Sequence, residues 1–225
     1  LAVSTPTVLT TGSSSGSTSS DTSASFSPTA NCLLLCWIGT NSSGGGSTHA
    51  ISDTLTGTGT WTQVTGLSGG TRGSWFYAIA GSSPGSGTVT FTYSPNATRC
   101  AWIILELNGH DTVTPVAESI VSTGSGATLS AVLTNIDTDH LGVSAIIDKG
   151  NSSGVTPGTN ETELADITSS GSNEARCQAQ HSTDETQDWS GLASNDQVGI
   201  ALEVAAAAGN SVPPKSDNYH RRRVA

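Results

Sequence analysis

Apolar residues along this chain alternate with polar ones or cluster in short runs, and Gly, Ser, Asn and Pro punctuate the runs. A period of two with frequent turn residues predicts strands, and no stretch holds a convincing helical period. The predicted strands are 31–39, 47–53, 59–65, 73–80, 87–93, 99–107, 115–122, 127–134, 140–148, 162–168, 174–181 and 197–205. Their regular spacing is the rhythm of a sandwich. Three runs are apolar on both faces: Leu33-Leu34-Leu35, Ala101-Trp102-Ile103-Ile104-Leu105 and Val143-Ser144-Ala145-Ile146-Ile147. Strands of that kind sit centrally, covered on both sides. Thr88-Val89-Thr90-Phe91-Thr92-Tyr93 alternates cleanly and predicts one wet face. Val198 to Ala208 is open to a helical reading, but Val198, Ile200, Leu202 and Val204 keep period two and favour a strand.

The expected fold class is therefore all-β: one β-sandwich of jelly-roll type, with extended N- and C-terminal arms. Residues 1–25 read as an N-terminal arm and a Ser/Thr/Gly-rich linker, 26–208 as the sandwich domain and 209–225 as a basic C-terminal arm. Composition agrees with a folded body, since 34% of residues are hydrophobic and only 12% charged. A disordered chain would be richer in charge and poorer in apolar residues.

Charge narrows the partners. The net charge is −10, which argues against a nucleic-acid binder, because such proteins need a basic stripe to displace counterions. Four of the eight Lys and Arg residues lie in the last eleven positions, Lys215, Arg221, Arg222 and Arg223. With Tyr219 they form a candidate assembly arm, a basic tail suited to the acidic body of a neighbouring copy. No apolar run approaches a membrane span, and no signal-peptide pattern is legible.

Four cysteines are present. In a strand Cys32 and Cys36 point to one face about 13 Å apart, too far for a disulfide, which needs Cα atoms within about 7 Å. Buried thiols are the preferred reading of all four, with a disulfide between sheets left open. No CxxC or neighbouring His completes a zinc set.

The candidate chemistry is sparse. Glu106, His110 and Asp111 form one local cluster, read as a solvated turn rather than a metal site. Asp137-Thr-Asp139-His140 has DxD spacing but lacks the full pattern of a calcium loop. Glu106 and Glu203 are the best carboxylate pair for glycosidic chemistry. No nucleophile elbow, HExxH or phosphate loop occurs. The chain is therefore expected to be no enzyme, with no cofactor and no metal. Among five tryptophans, Trp61 and Trp189 lie among Thr, Ser and Asp and are the candidate glycan contacts.

Several segments, in order, resemble a family of β-sandwich structural proteins of tailed bacteriophages and their prophage relatives. They are SFSPTANCLLLCWIG (25–39), ISDTLTGTGTWTQV (51–64), GSWFYAIAGSSPGSGTVTFTYS (73–94), CAWIILELNG (100–109), TPGTNETELAD (156–166) and DWSGLASNDQVGIALEV (188–204). The resemblance implies a structural protein of the virion, of head-decoration or minor-tail type, located in the extracellular particle. Its expected partners are copies of itself or other virion proteins, with no nucleic acid and no membrane. The alternative is a carbohydrate-binding module for host-surface recognition. A glycoside hydrolase or a cell-surface filament subunit stands behind these.

Overall fold

The computed structural model describes residues 2–42, 48–67, 70–134, 136–171 and 174–208. All its regular elements are strands, and all named strand pairs are antiparallel. One five-stranded sheet holds, in spatial order, β1 (Thr7–Ser14), β8 (Arg99–Leu107), β3 (Leu33–Asn41), β6 (Thr71–Ile79) and β5 (Thr62–Gly66). A second holds β13 (Thr162–Thr168), β14 (Ala175–Ser182), β11 (Leu141–Lys149), β16 (Gln197–Val204) and β9 (Val116–Gly124). Two three-stranded sheets complete the fold. One runs β2 (Thr18–Thr22), β7 (Val89–Ala97), β4 (Thr48–Asp53), and the other β10 (Thr128–Val132), β15 (Thr186–Ser190), β12 (Thr156–Pro157).

Side-chain alternation stacks these sheets in four layers. Leu33, Leu35, Trp37, Ile103 and Leu105 from the first five-stranded sheet meet Val143, Ile147, Ile200 and Leu202 from the second in a central core. The opposite faces of the same strands fill two flanking cores. Leu34, Cys36, Ile38, Trp102 and Ile104 pack with Phe91 of β7, and Ile146 and Ala201 pack with Leu129 and Trp189. Central strands are thus covered on both sides, as their continuous apolar runs predict. Burying each large apolar side chain contributes about 1.5–3 kcal/mol. All four cysteines are buried free thiols, and Cys32 and Cys36 share one face.

The strand order repeats. Numbered from its own start, the half running from β9 to β16 has the same two sheets as the half from β1 to β8: 1-8-3-6-5 and 2-7-4. Register repeats as well. Leu33 of β3 pairs with Leu107 of β8, and Leu141 of β11 pairs with Val204 of β16. Thr-Pro precedes the first strand of both halves (5–6 and 114–115), and Asn-Ser-Ser-Gly stands at or just after the end of the third strand in both (41–44 and 151–154). The all-β sandwich is accordingly two stacked units of one design, where the sequence predicts a single one.

Two further expectations change. Residues 7–22 are the strands β1 and β2 and not an arm with a linker. β1 pairs along β8 almost to its end, and Gly12 leaves the space that the Trp102 indole fills. Thr-rich composition that resembles a linker also suits a half-buried edge strand. The proposed C-terminal arm, 209–225 with Lys215, Tyr219, Arg221, Arg222 and Arg223, lies outside the described residues.

Candidate functional site

The two candidate aromatic contacts have different fates. Trp61 immediately precedes β5 and is half-buried. Its indole N–H donates to Asp53 Oδ2 at 2.7 Å, and Asp53 Oδ1 accepts from Leu55 N at 2.8 Å. The ring borders a cleft of about 310 Å³ with Ser52, Asp53, Thr58 and Thr60. An aromatic face fixed by a carboxylate beside several hydroxyls is a chemistry that suits a sugar ring. Trp189, expected to be exposed, is only 1% exposed. Its indole N–H donates to Gln178 Oε1 at 2.9 Å, and the ring packs in the flanking core over Gly199. Its polar neighbours Asp188 and Ser190 point to the opposite, wet face of β15, which is why local composition misleads.

That wet face carries a second cleft of about 380 Å³, lined by Ser130, Asp188, Ser190 and the 157–159 turn. Below it, Glu161 accepts backbone N–H groups from Gly158 at 2.6 Å and Asp188 at 2.5 Å. Burial pushes its carboxyl up to about 7, aided by the Asp188 charge and opposed by those N–H bonds. Both oxygens are turned to the backbone, so Glu161 holds the turn closed.

Glu106 and Glu203, the candidate glycosidase pair, occupy equivalent positions in the two halves, opposite Leu34 and Gly142. Each carboxylate holds the loop that enters its third strand. Thr29 N donates to Glu106 Oε2 at 2.8 Å, and Asp137 N donates to Glu203 Oε1 at 3.4 Å. Because Leu105, Leu107, Leu202 and Val204 point to the central core, both glutamates point away from it, toward opposite outer layers. They do not flank one cleft, as a glycosidic pair must.

Neither sequence-adjacent metal candidate gathers as written. Asp111 caps its own turn, accepting from Val113 N at 2.7 Å and Thr114 N at 2.9 Å, and these bonds hold its carboxyl below the usual range. His110 is buried behind it, bridged to Ala206, while Glu106 is engaged with Thr29. Around His140, the third ligand-type group is Glu203 and not Asp139, and the donor atoms of Asp137, His140 and Glu203 lie within 4.8 Å of one another. Glu203 is far away in sequence, so only β11–β16 pairing could reveal it.

Sequence reasoning also passes over His49. It sits buried between Thr40 Oγ1 at 2.8 Å from Nε2 and Ser74 Oγ at 3.0 Å from Nδ1. Burial, then the nearby Arg72 charge, lowers its pKa to about 3 and keeps the ring neutral. Ser74 is fully buried, so this is a structural polar contact within an apolar layer.

The chain matches no protein-family model, no curated protein and no solved structure.

Proposed function

We propose that the chain is a structural building block of a tailed-phage virion surface, a head-decoration or minor-tail component that assembles with copies of itself or with other virion proteins. The observation that carries this reading is the doubled sandwich. Two units of one strand order share a single apolar core, and the outer sheets turn rows of Ser and Thr to solvent. We read each unit as a jelly roll, a fold in which paired sheets protect most strand edges. Such a block offers rigidity and broad faces for subunit contact. The sequence resemblance supplies the virion setting. Assembly is assigned to the basic segment with Lys215, Tyr219, Arg221, Arg222 and Arg223, drawn to an acidic neighbour.

Light scattering tests this on the full chain and on a chain ending at Ala208. The expected result is concentration-dependent assembly of the full chain, weakened by salt, and a monomer for the shorter one. A full chain that stays monomeric across the concentration range sinks the self-assembly reading.

The Trp61 cleft favours a second reading, recognition of surface glycans. On that reading a sugar that binds shifts tryptophan emission, and Trp61→Ala removes both binding and shift. Binding that survives Trp61→Ala, or no response to a broad glycan panel, ends it.

A further inference from the structure

The internal repeat shows what is special about His140. Counting back from Leu33 and Leu141, and across to β8 and β16, positions 29, 32 and 106 correspond to 137, 140 and 203. The first unit places Thr29, Cys32 and Glu106 there, and its glutamate takes the loop N–H directly at 2.8 Å. The second places Asp137, His140 and Glu203 there. Its equivalent bond is longer, at 3.4 Å, and the same carboxylate oxygen also accepts from His140 Nδ1 at 2.6 Å. One scaffold thus serves as a plain loop anchor in the first unit. In the second it carries an imidazole between two carboxylates.

We infer that Asp137 and His140 bind a divalent cation of the zinc type, with Glu203 as the residue that positions the imidazole. Glu203 is 6% exposed and fixes the proton on Nδ1. In the neutral ring Nε2 then carries the lone pair, the tautomer that a metal requires. A carboxylate behind a ligating histidine is the usual second support of such a site. Asp137 Oδ2 stands 4.0 Å from Nε2, too far for a hydrogen bond between them. The Asp137 side chain is 70% exposed, and nitrogen and oxygen ligands of zinc stand about 2.0–2.2 Å from the ion. Nitrogen with oxygen donors suits zinc better than calcium or magnesium, which prefer oxygen alone.

A second observation points the same way. Glu118 of β9 lies directly opposite Glu203 on β16. Like charges directly across a ladder are destabilising. Glu118 accepts from Thr134 N at 2.7 Å and from Thr134 Oγ1 at 2.6 Å. Glu118 and Glu203 thus lie on one face of the β9–β16 pair. Solvent completes the coordination shell.

Isothermal titration of the full chain with zinc chloride tests the site. One equivalent of zinc per chain is expected. Asp137→Asn, an exposed and isosteric change that leaves packing alone, weakens binding at least tenfold, and His140→Gln abolishes it. Glu203→Gln, whose amide oxygen still accepts from Nδ1, weakens it about 10- to 100-fold. No zinc binding by the wild-type chain overturns the inference. So does binding that is unchanged in both Asp137→Asn and His140→Gln, which places the ion elsewhere.

Discussion

His49 shows how one buried side chain sets the response of the whole chain to acid. Free histidine titrates near 6.5, whereas this one titrates near 3 because burial penalises its charged form. Between those values the unfolded chain binds a proton that the folded chain refuses. Stability from this residue is therefore complete above pH 6.5 and falls as pH drops toward 3, by at most about 1.4 kcal/mol per pH unit. His110 and His181, also lowered by burial, act with the same sign. Glu161 acts oppositely, because a carboxyl raised from 4.5 to about 7 makes the fold less stable as pH rises through that window. Urea midpoints at pH 7.5, 5.5 and 4.5 isolate the histidine. His49→Gln is expected to be less stable at pH 7.5 but to lose less than the wild type on acidification. Parallel losses would assign acid sensitivity to other groups. Nothing in the sequence marks His49, since its partners Thr40 and Ser74 come from two other strands. Trp61 is half-buried and held by Asp53, eight residues away, while Trp189 was misread from neighbours on the other face of its strand.

Among the elements, the strands with strong apolar patterns were legible, and those without were not. β3, β8 and β11 each serve two cores, so their sequences are apolar at nearly every position. β1 and β2 are rich in Ser and Thr and pair at sheet edges, where half-buried hydroxyls suffice. β12 has two residues and no pattern to read. The repeat is hidden for a packing reason. Equivalent positions of β3 and β11 exchange volume: Trp37 corresponds to Ala145, and Gly39 to Ile147. A Cβ on Gly39 would collide with Cys177 and press on Ile147 at 3.0 Å, so the small residue in one unit makes room for the large one in the other. Gly73 likewise yields its space to the Trp37 ring. Close packing across a shared core demands such complementarity and erases identity between the halves. Glu106 and Glu203 keep their identity because each still holds the equivalent loop. The same register explains why the metal-type cluster was only half visible. Asp137 and His140 are neighbours in sequence, but Glu203 joins them through the ladder.

At the scale of the whole molecule, the shared core decides whether the two units unfold together. Its residues come from both five-stranded sheets, and Trp75 Nε1 donates to the Ile200 carbonyl across the layer at 3.1 Å. Trp37 and Trp75 meet there at a 56° tilt with ring centroids 5.4 Å apart, against the second unit's sheet. Separating the units would expose the inner faces of both sheets, and no outer sheet could cover them. One cooperative transition is the consequence. The tryptophans make this measurable, because Trp37, Trp61, Trp75 and Trp102 all lie in the first unit and only Trp189 in the second. Ile200 is fully buried in the second unit, and Ile200→Ala should cost about 2–5 kcal/mol. In urea, tryptophan emission and far-UV circular dichroism of this variant are expected to move together to a lower midpoint, with one transition each. Emission would then report, from the first unit, a cavity made in the second. Should emission hold its wild-type midpoint while the dichroism splits, each unit would be stable alone, and the central core would be a docking surface between two independent folds.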